Sequence, residues 1–240
     1  MFSTILNNIP PDQIALLISL LLITGIFAGT IAGLFGIGGG VVIVPALYYI
    51  FTLAEIDEQF RMHLAVGTSL ANIIPTSIIS AYSHYQKKAV DFNLIKIVTP
   101  SLIIGVILGA LVVSNISGSI LMLIYAFLLF NIALLFFFWQ DRWQLGSIFP
   151  TNYLKHVYGS SIGFISTIIG IGGGSLSTPL LKIYNFEIHR AIGTAAGIGA
   201  VIAMPGTIGF IISGIYNDVN LPLSLGYVNF LGLLMISPMT

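Results

Sequence analysis

The sequence contains no cysteine, and only 8 Lys or Arg and 8 Asp or Glu among its 240 residues. Without cysteine there can be no disulfide, no thiolate metal centre and no cysteine nucleophile. The net formal charge is zero, so no basic field points to nucleic acid. No Gly-x4-Gly-Lys-Ser/Thr loop occurs, which leaves no site of that kind for ATP-driven work. The first eleven residues hold no Lys or Arg. A cleaved signal would want a positive start, so the first apolar segment is expected to be retained.

What fills the chain instead is apolar. Hydrophobic residues make up 57% and charged residues 7%, against about 25% charged in soluble domains. Such a chain could not cover its own surface in water. Lipid is the solvent that fits, and segments of about 20 residues are the expected unit. Runs such as Leu121 to Trp139 are apolar on every face, which excludes the alternating pattern of a membrane β-barrel. The expected fold is an all-α polytopic membrane protein.

The segments expected to be helical are Gln13–Phe35, Val41–Leu53, Met62–Tyr82, Phe92–Val113, Ile120–Trp139, His156–Ile169, Leu176–Phe186, Ala191–Ile212, and Leu223 to the end. A polar stretch from Gln140 to Asn152 is the natural linker. The expected organisation is a first repeat over 1–140, a linker over 141–155 and a second repeat over 156–240.

The repeat rests on three blocks in the same order. Gly36-Ile37-Gly38-Gly39-Gly40 recurs as Gly170-Ile171-Gly172-Gly173-Gly174, an offset of 134, and Pro45 then meets Pro179. His63 to Thr68 meets His189 to Thr194 at an offset of 126. Val90-Asp91-Phe92 and Pro100 meet Val228-Asn229-Phe230 and Pro238 at an offset of 138. Pro100 is followed by some forty apolar residues and Pro238 by two. The second half has no counterpart of Ser101 to Gln140, so the chain is expected to be C-terminally incomplete.

Lys87, Lys88, Arg142 and Lys155 fall on one side if both intervening segments cross, and the Lys/Arg bias makes that side cytoplasmic. If the two short segments also cross, each half has five passes. An odd number inverts the second half, and Lys182 and Arg190 then fall inside as well. If the short segments are re-entrant, the halves are parallel.

Clustered glycines inside apolar runs are the candidate site. A broken helix survives in a membrane only against protein or beside a water-filled cavity. Successive N–H groups in a glycine turn form an anion-binding nest, and the helix that follows adds its positive N-terminal end. Gly36, Gly38, Gly39 and Gly40, with Gly170, Gly172, Gly173 and Gly174, are therefore expected to bind an anion. Thr68, Asn72 and Thr194 would add side-chain donors. Pro45 and Pro179 are expected to shape the short helices.

Each feature has a plainer reading. Gly25-x3-Gly29, Gly105-x3-Gly109 and Gly159-x3-Gly163 fit helix packing. Thr76 and Ser77 fit interhelical hydrogen bonding. His63 and His189 match between the halves but lie by loops, where a structural role is usual. His84, just before Lys87-Lys88, could sense pH, though a solvated interface explains it equally. Asp91 and Asn229 fit helix caps. Gly159-Ser160-Ser161-Ile162-Gly163 has the nucleophile-elbow pattern without the strand-to-helix turn that the pattern requires.

The element Gly29-x6-Gly36-Ile37-Gly38-Gly39-Gly40-x4-Pro45-x-Leu47 and its copy from Gly163 to Leu181 resemble the sulfite exporter TauE/SafE family of membrane permeases. Ala65 to Ser69 and Gly226 to Asn229 look like later blocks of that family. The resemblance implies a duplicated helical carrier in the plasma membrane that moves sulfite, sulfonates or related anions. It implies no cofactor and no enzymatic activity. The expected partners are a small anion and membrane lipid, not nucleic acid, with self-association left open. A passive channel and an intramembrane serine hydrolase at Ser161 are the alternatives.

Overall fold

The computed structural model describes residues 11–35, 39–138, 146, 149–150, 153–221 and 223–240. Helices dominate: α1 Pro11–Phe35, α2 Gly40–Leu53, α3 Glu58–Gln86, α4 Phe92–Ser114, α5 Gly118–Phe137, α6 Leu154–Ile169, α7 Gly174–Ile183, α8 Ile188–Tyr216 and α9 Phe230–Ile236. The only strands among the described residues, β1 Ser224–Leu225 and β2 Val228–Asn229, form a two-residue antiparallel hairpin. Within α1, and in α3, α4, α5 and α8, five stretches are long and apolar enough to cross a membrane. This is a polytopic helical membrane fold.

The helix starts follow the local chemistry. Asp57 caps α3 by accepting the amide of Gln59, Asp91 caps α4 through Leu94, Ser117 caps α5 through Ile120, and Asn229 caps α9 through Gly232. Each side chain satisfies one of the orphan donors of a first turn. The last apolar segment differs from a single helix starting at Leu223. Leu223 and Gly226 take positive φ (54° each), so the chain turns through the hairpin before α9 begins.

Helices α3 and α8 form the centre and run antiparallel. Gly67 faces Phe210, Leu70 faces Gly206, Ser77 faces Gly199 and His84 faces Gly193. Helices α4 and α6 pack in parallel on spaced glycines. A methyl on Gly105 would overlap the carbonyl oxygen of Ser160, and one on Gly163 would overlap that of Leu102. Small residues let membrane helices approach this closely. Outside the centre lies α5, where Leu123, Phe127, Phe130 and Phe137 are exposed, as suits contact with lipid.

Several glycine contacts recur between residue pairs related by the sequence offsets. Gly159 meets Ser101 and Val98, while Gly25 meets Met239 and Ile236, each residue shifted by the offsets found in the sequence. Likewise Gly193 packs on the carbonyl of Ala89, and Gly67 packs on that of Tyr227.

The same topology sorts charge. The C-terminus of α3, the N-termini of α4, α6 and α8, and the C-terminus of α7 share one end of the bundle. That end carries Lys87, Lys88, Lys155, Lys182 and Arg190. An ion pair, Arg190 to Asp91 at 2.8 Å, ties α8 to the start of α4 there. The opposite end carries Glu55, Asp57, Glu58 and Asp218 with Arg61. Arg142 lies outside the described residues.

Candidate functional site

A cavity of about 180 Å³ lies between α1, α3 and α8, beside the starts of α2 and α7. Its deeper wall includes Gly39, Ile43, Ile171, Gly172 and Gly174. Helix α3 contributes Thr76, Ser77, Ser80 and His84. The volume admits a small oxyanion with a few waters. Among the described lining residues none is Asp, Glu, Lys or Arg, and His84 is the one histidine.

The second glycine element has the geometry of a nest. Gly170, Gly172 and Gly173 take φ of 75°, 68° and 81°, the left-handed region where glycine alone is at ease. Gly173 heads α7 with no side-chain cap. Among the described residues the amides of Gly172, Gly173 and Gly174 have no hydrogen-bond partner. Unsatisfied first-turn amides and the helix dipole together favour an anion.

The first element differs in detail. Gly39 heads α2 with φ −67° and ψ −19°, again with no side-chain cap. Gly36 and Gly38 lie outside the described residues. The two elements touch directly: a methyl on Gly40 would overlap the carbonyl oxygen of Gly170. The Ser69 hydroxyl donates to that same oxygen at 2.8 Å. Pro45 lies within α2 and Pro179 within α7. Both helices stay short, with 14 and 10 residues, or roughly 21 and 15 Å at 1.5 Å per residue.

The expected residues therefore divide. Gly39, Gly172 and Gly174 line the cavity. Gly40, Gly170 and Gly173 lie behind that wall, in the contacts that shape it. Thr68, Asn72 and Thr194 are fully buried and do not line it. Each makes a hydrogen bond within the fold, while the Asn72 Oδ1 is buried with no partner among the described residues. The Thr68 hydroxyl accepts the amide of Asn229 at 2.9 Å, and that of Thr194 accepts the amide of Asp91 at 3.0 Å. The Asn72 side-chain amide donates to the Thr68 carbonyl at 3.1 Å.

Thr76, Ser77, Ser80 and His84 take the side-chain positions in the cavity instead. Their signal in the sequence was spacing: 76, 80 and 84 fall on one helical face. Single polar residues in an apolar helix do not reveal which neighbour they face. His63 is buried, stacks on Tyr227 with centroids 4.9 Å apart and bonds through Nε2 to the Val113 carbonyl oxygen. The Gly159 to Gly163 pattern lies inside α6, with both glycines against α4.

The sulfite exporter TauE/SafE family matches residues 21–240. The chain belongs to that family. Curated relatives agree on the broad role. A probable membrane transporter protein of Haemophilus influenzae is 34% identical, covering 88% of this chain and 80% of its own length. Another, of Methanocaldococcus jannaschii, is 29% identical, covering 94% and 84%. YunE of Bacillus subtilis, also a probable membrane transporter protein, is 30% identical, covering 82% and 80%. No solved structure matches the chain. Family and relatives together make this a membrane transporter, with several apolar helices to seat it in the bilayer.

Proposed function

We propose that this transporter is a secondary carrier of a small sulfur oxyanion, of the sulfite and sulfonate class, working by alternating access. The observation that carries the reading is the set of unpartnered amides at Gly172, Gly173 and Gly174, in a turn whose Gly172 and Gly174 line a cavity with no Asp or Glu among its described lining residues. A buried oxyanion must recover the hydrogen bonds it leaves in water. Backbone amides at a short helix start offer them without a buried cation. Gly39 brings the start of α2 to the same cavity, with Gly36 and Gly38 next to it in the chain. The sulfur class comes from the family's description.

The matching, antiparallel α3 and α8 support halves of inverted topology, the arrangement that lets one half rock against the other. Six described cationic residues toward one end, Lys96 near the start of α4 among them, against Arg61 at the other support placing the Lys87 end in the cytoplasm of a plasma-membrane protein. His84 lies two residues from the end of α3 at that basic end, so the cavity is read as facing inward.

The test is uptake of labelled sulfite and sulfoacetate into vesicles holding the purified chain. A carrier gives saturable flux with counterflow; Gly33→Leu, at a position where an added Cβ meets nothing within 4 Å, abolishes it while the protein remains folded, and Gly172→Ala abolishes it in the fraction that folds. Flux that never saturates and shows no counterflow would establish a channel instead. Unchanged flux in Gly172→Ala would remove the nest from the mechanism.

A further inference from the structure

We propose that His84 is a proton-linked contact for the carried anion; this rests on the anion reading above. His84 lines the cavity and is the one imidazole there among the described residues. The other side chains leave it a particular task. Thr76 donates to the carbonyls of Asn72 and Ile73, Ser77 to that of Ile74, and Thr240 to that of Ser237. A hydroxyl that has given its proton to the backbone can only accept, and an anion needs donors. Ser80 and His84 are left as the lining side-chain donors without a partner in the fold. They are four residues apart, one above the other on α3, and lead outward from the glycine wall.

Charge around His84 points the same way. Lys87, at the end of its own helix, and His189, on α8, are the charged or titratable groups whose fields reach its ring. Neither supplies a negative charge. Asp91, near that end, is held by Arg190 and caps α4. The faces of α1 and α8 that share the cavity present Gly29, Ala32, Gly33, Ile192 and Ala195, which are uncharged. A protonated His84 therefore has no Asp or Glu counter-ion among the described lining residues of the cavity, and an entering anion supplies one. Binding an anion there draws a proton onto the imidazole.

The repeat sharpens the point. At the offset of 126, His84 corresponds to Phe210. Just as His84 packs on Gly193, Phe210 packs on Gly67, with closest approaches of 2.8 and 3.0 Å to an added Cβ. The equivalent position is a buried aromatic at the acidic end and an ionisable ring at the basic end. Proton linkage thus belongs to one face of the carrier.

The experiment measures binding of methanesulfonate and sulfate to the purified full chain in detergent, by calorimetry from pH 5.5 to 8.5. Neither anion titrates in that range. Wild type is expected to lose affinity as pH rises, by up to about tenfold per pH unit once the free imidazole has given up its proton. It should take up close to one proton per anion, read from two buffers of different ionisation enthalpy. His84→Gln should bind weakly with no pH slope, His84→Arg tightly with no slope, and His189→Gln should keep the slope. A slope that survives in His84→Gln, or a flat wild type that binds well, overturns the proposal alone. Folded wild type that binds neither anion at pH 5.5 overturns the anion reading and this proposal with it.

Discussion

The hydroxyl of Thr68 accepts the backbone amide of Asn229 at 2.9 Å, and 126 residues later the hydroxyl of Thr194 accepts that of Asp91 at 3.0 Å. Each bond joins a central helix to the cap residue of a helix from the other part of the chain, and both hydroxyls are fully buried. Thr68→Val or Thr194→Val keeps the shape and leaves a backbone donor without its partner. Each is expected to cost about 1–3 kcal/mol, read as a lower melting temperature in detergent. Anion affinity of the folded fraction should be unchanged, since neither residue lines the cavity.

Gly33 and Gly105 should respond in opposite ways. A Cβ at Gly33 meets nothing within 4 Å, and the residue faces the cavity. Gly33→Leu should leave folding intact, or raise stability by up to about 1 kcal/mol through helix propensity, while filling the cavity and blocking anion binding. Gly105→Ala drives a methyl into the Ser160 carbonyl. It is expected to destabilise by about 1–3 kcal/mol as α4 and α6 separate. Thermal melts and binding isotherms for the pair separate packing from site.

The Arg190 to Asp91 ion pair has side-chain exposures of 53% and 19%. Solvent screens a pair of this kind, so Arg190→Ala should cost under about 1 kcal/mol and less at high salt. Asp91→Ala should cost more, because the same carboxylate also caps α4 through Leu94. A double-mutant cycle in melting temperature at two salt concentrations measures the coupling. Equal losses for both single variants would deny the cap its share.

The absence of native cysteine makes sidedness directly measurable. Lys88→Cys and Asp218→Cys introduce single thiols at opposite ends of the bundle. With the basic end in the cytoplasm, an impermeant maleimide added to intact cells should label Asp218→Cys and spare Lys88→Cys until the cells are opened. The reverse pattern would invert the topology.

Much of the fold was legible in order and composition. The apolar runs gave the long helices because a segment in lipid must satisfy its own backbone bonds, which only helix does over such lengths. Asp91 and Asn229 were readable as caps because capping is local. The site was legible in part. Gly172 and Gly174 announced themselves because packing alone does not call for three adjacent glycines. Thr68 and Thr194 misled, because a buried hydroxyl looks the same in sequence whether it faces a ligand or another backbone. His84 reads equally as a solvated interface residue for the complementary reason, and Ser80 carries no signal of its own in the sequence. The hairpin at 224–229 was hidden in an apolar segment, since strand and helix of a few residues share the same composition.

By itself, the sequence determined the solvent, the helical class, the doubling of the glycine element and the family. These follow from composition, local backbone preference and matched order along the chain. Tertiary structure alone decided which polar groups face the cavity and which face each other. It placed His84 at a cavity and its counterpart Phe210 in a packed contact. The physical reason is that a donor's role depends on whether its hydrogen bond is already satisfied, and that partner can lie more than a hundred residues away.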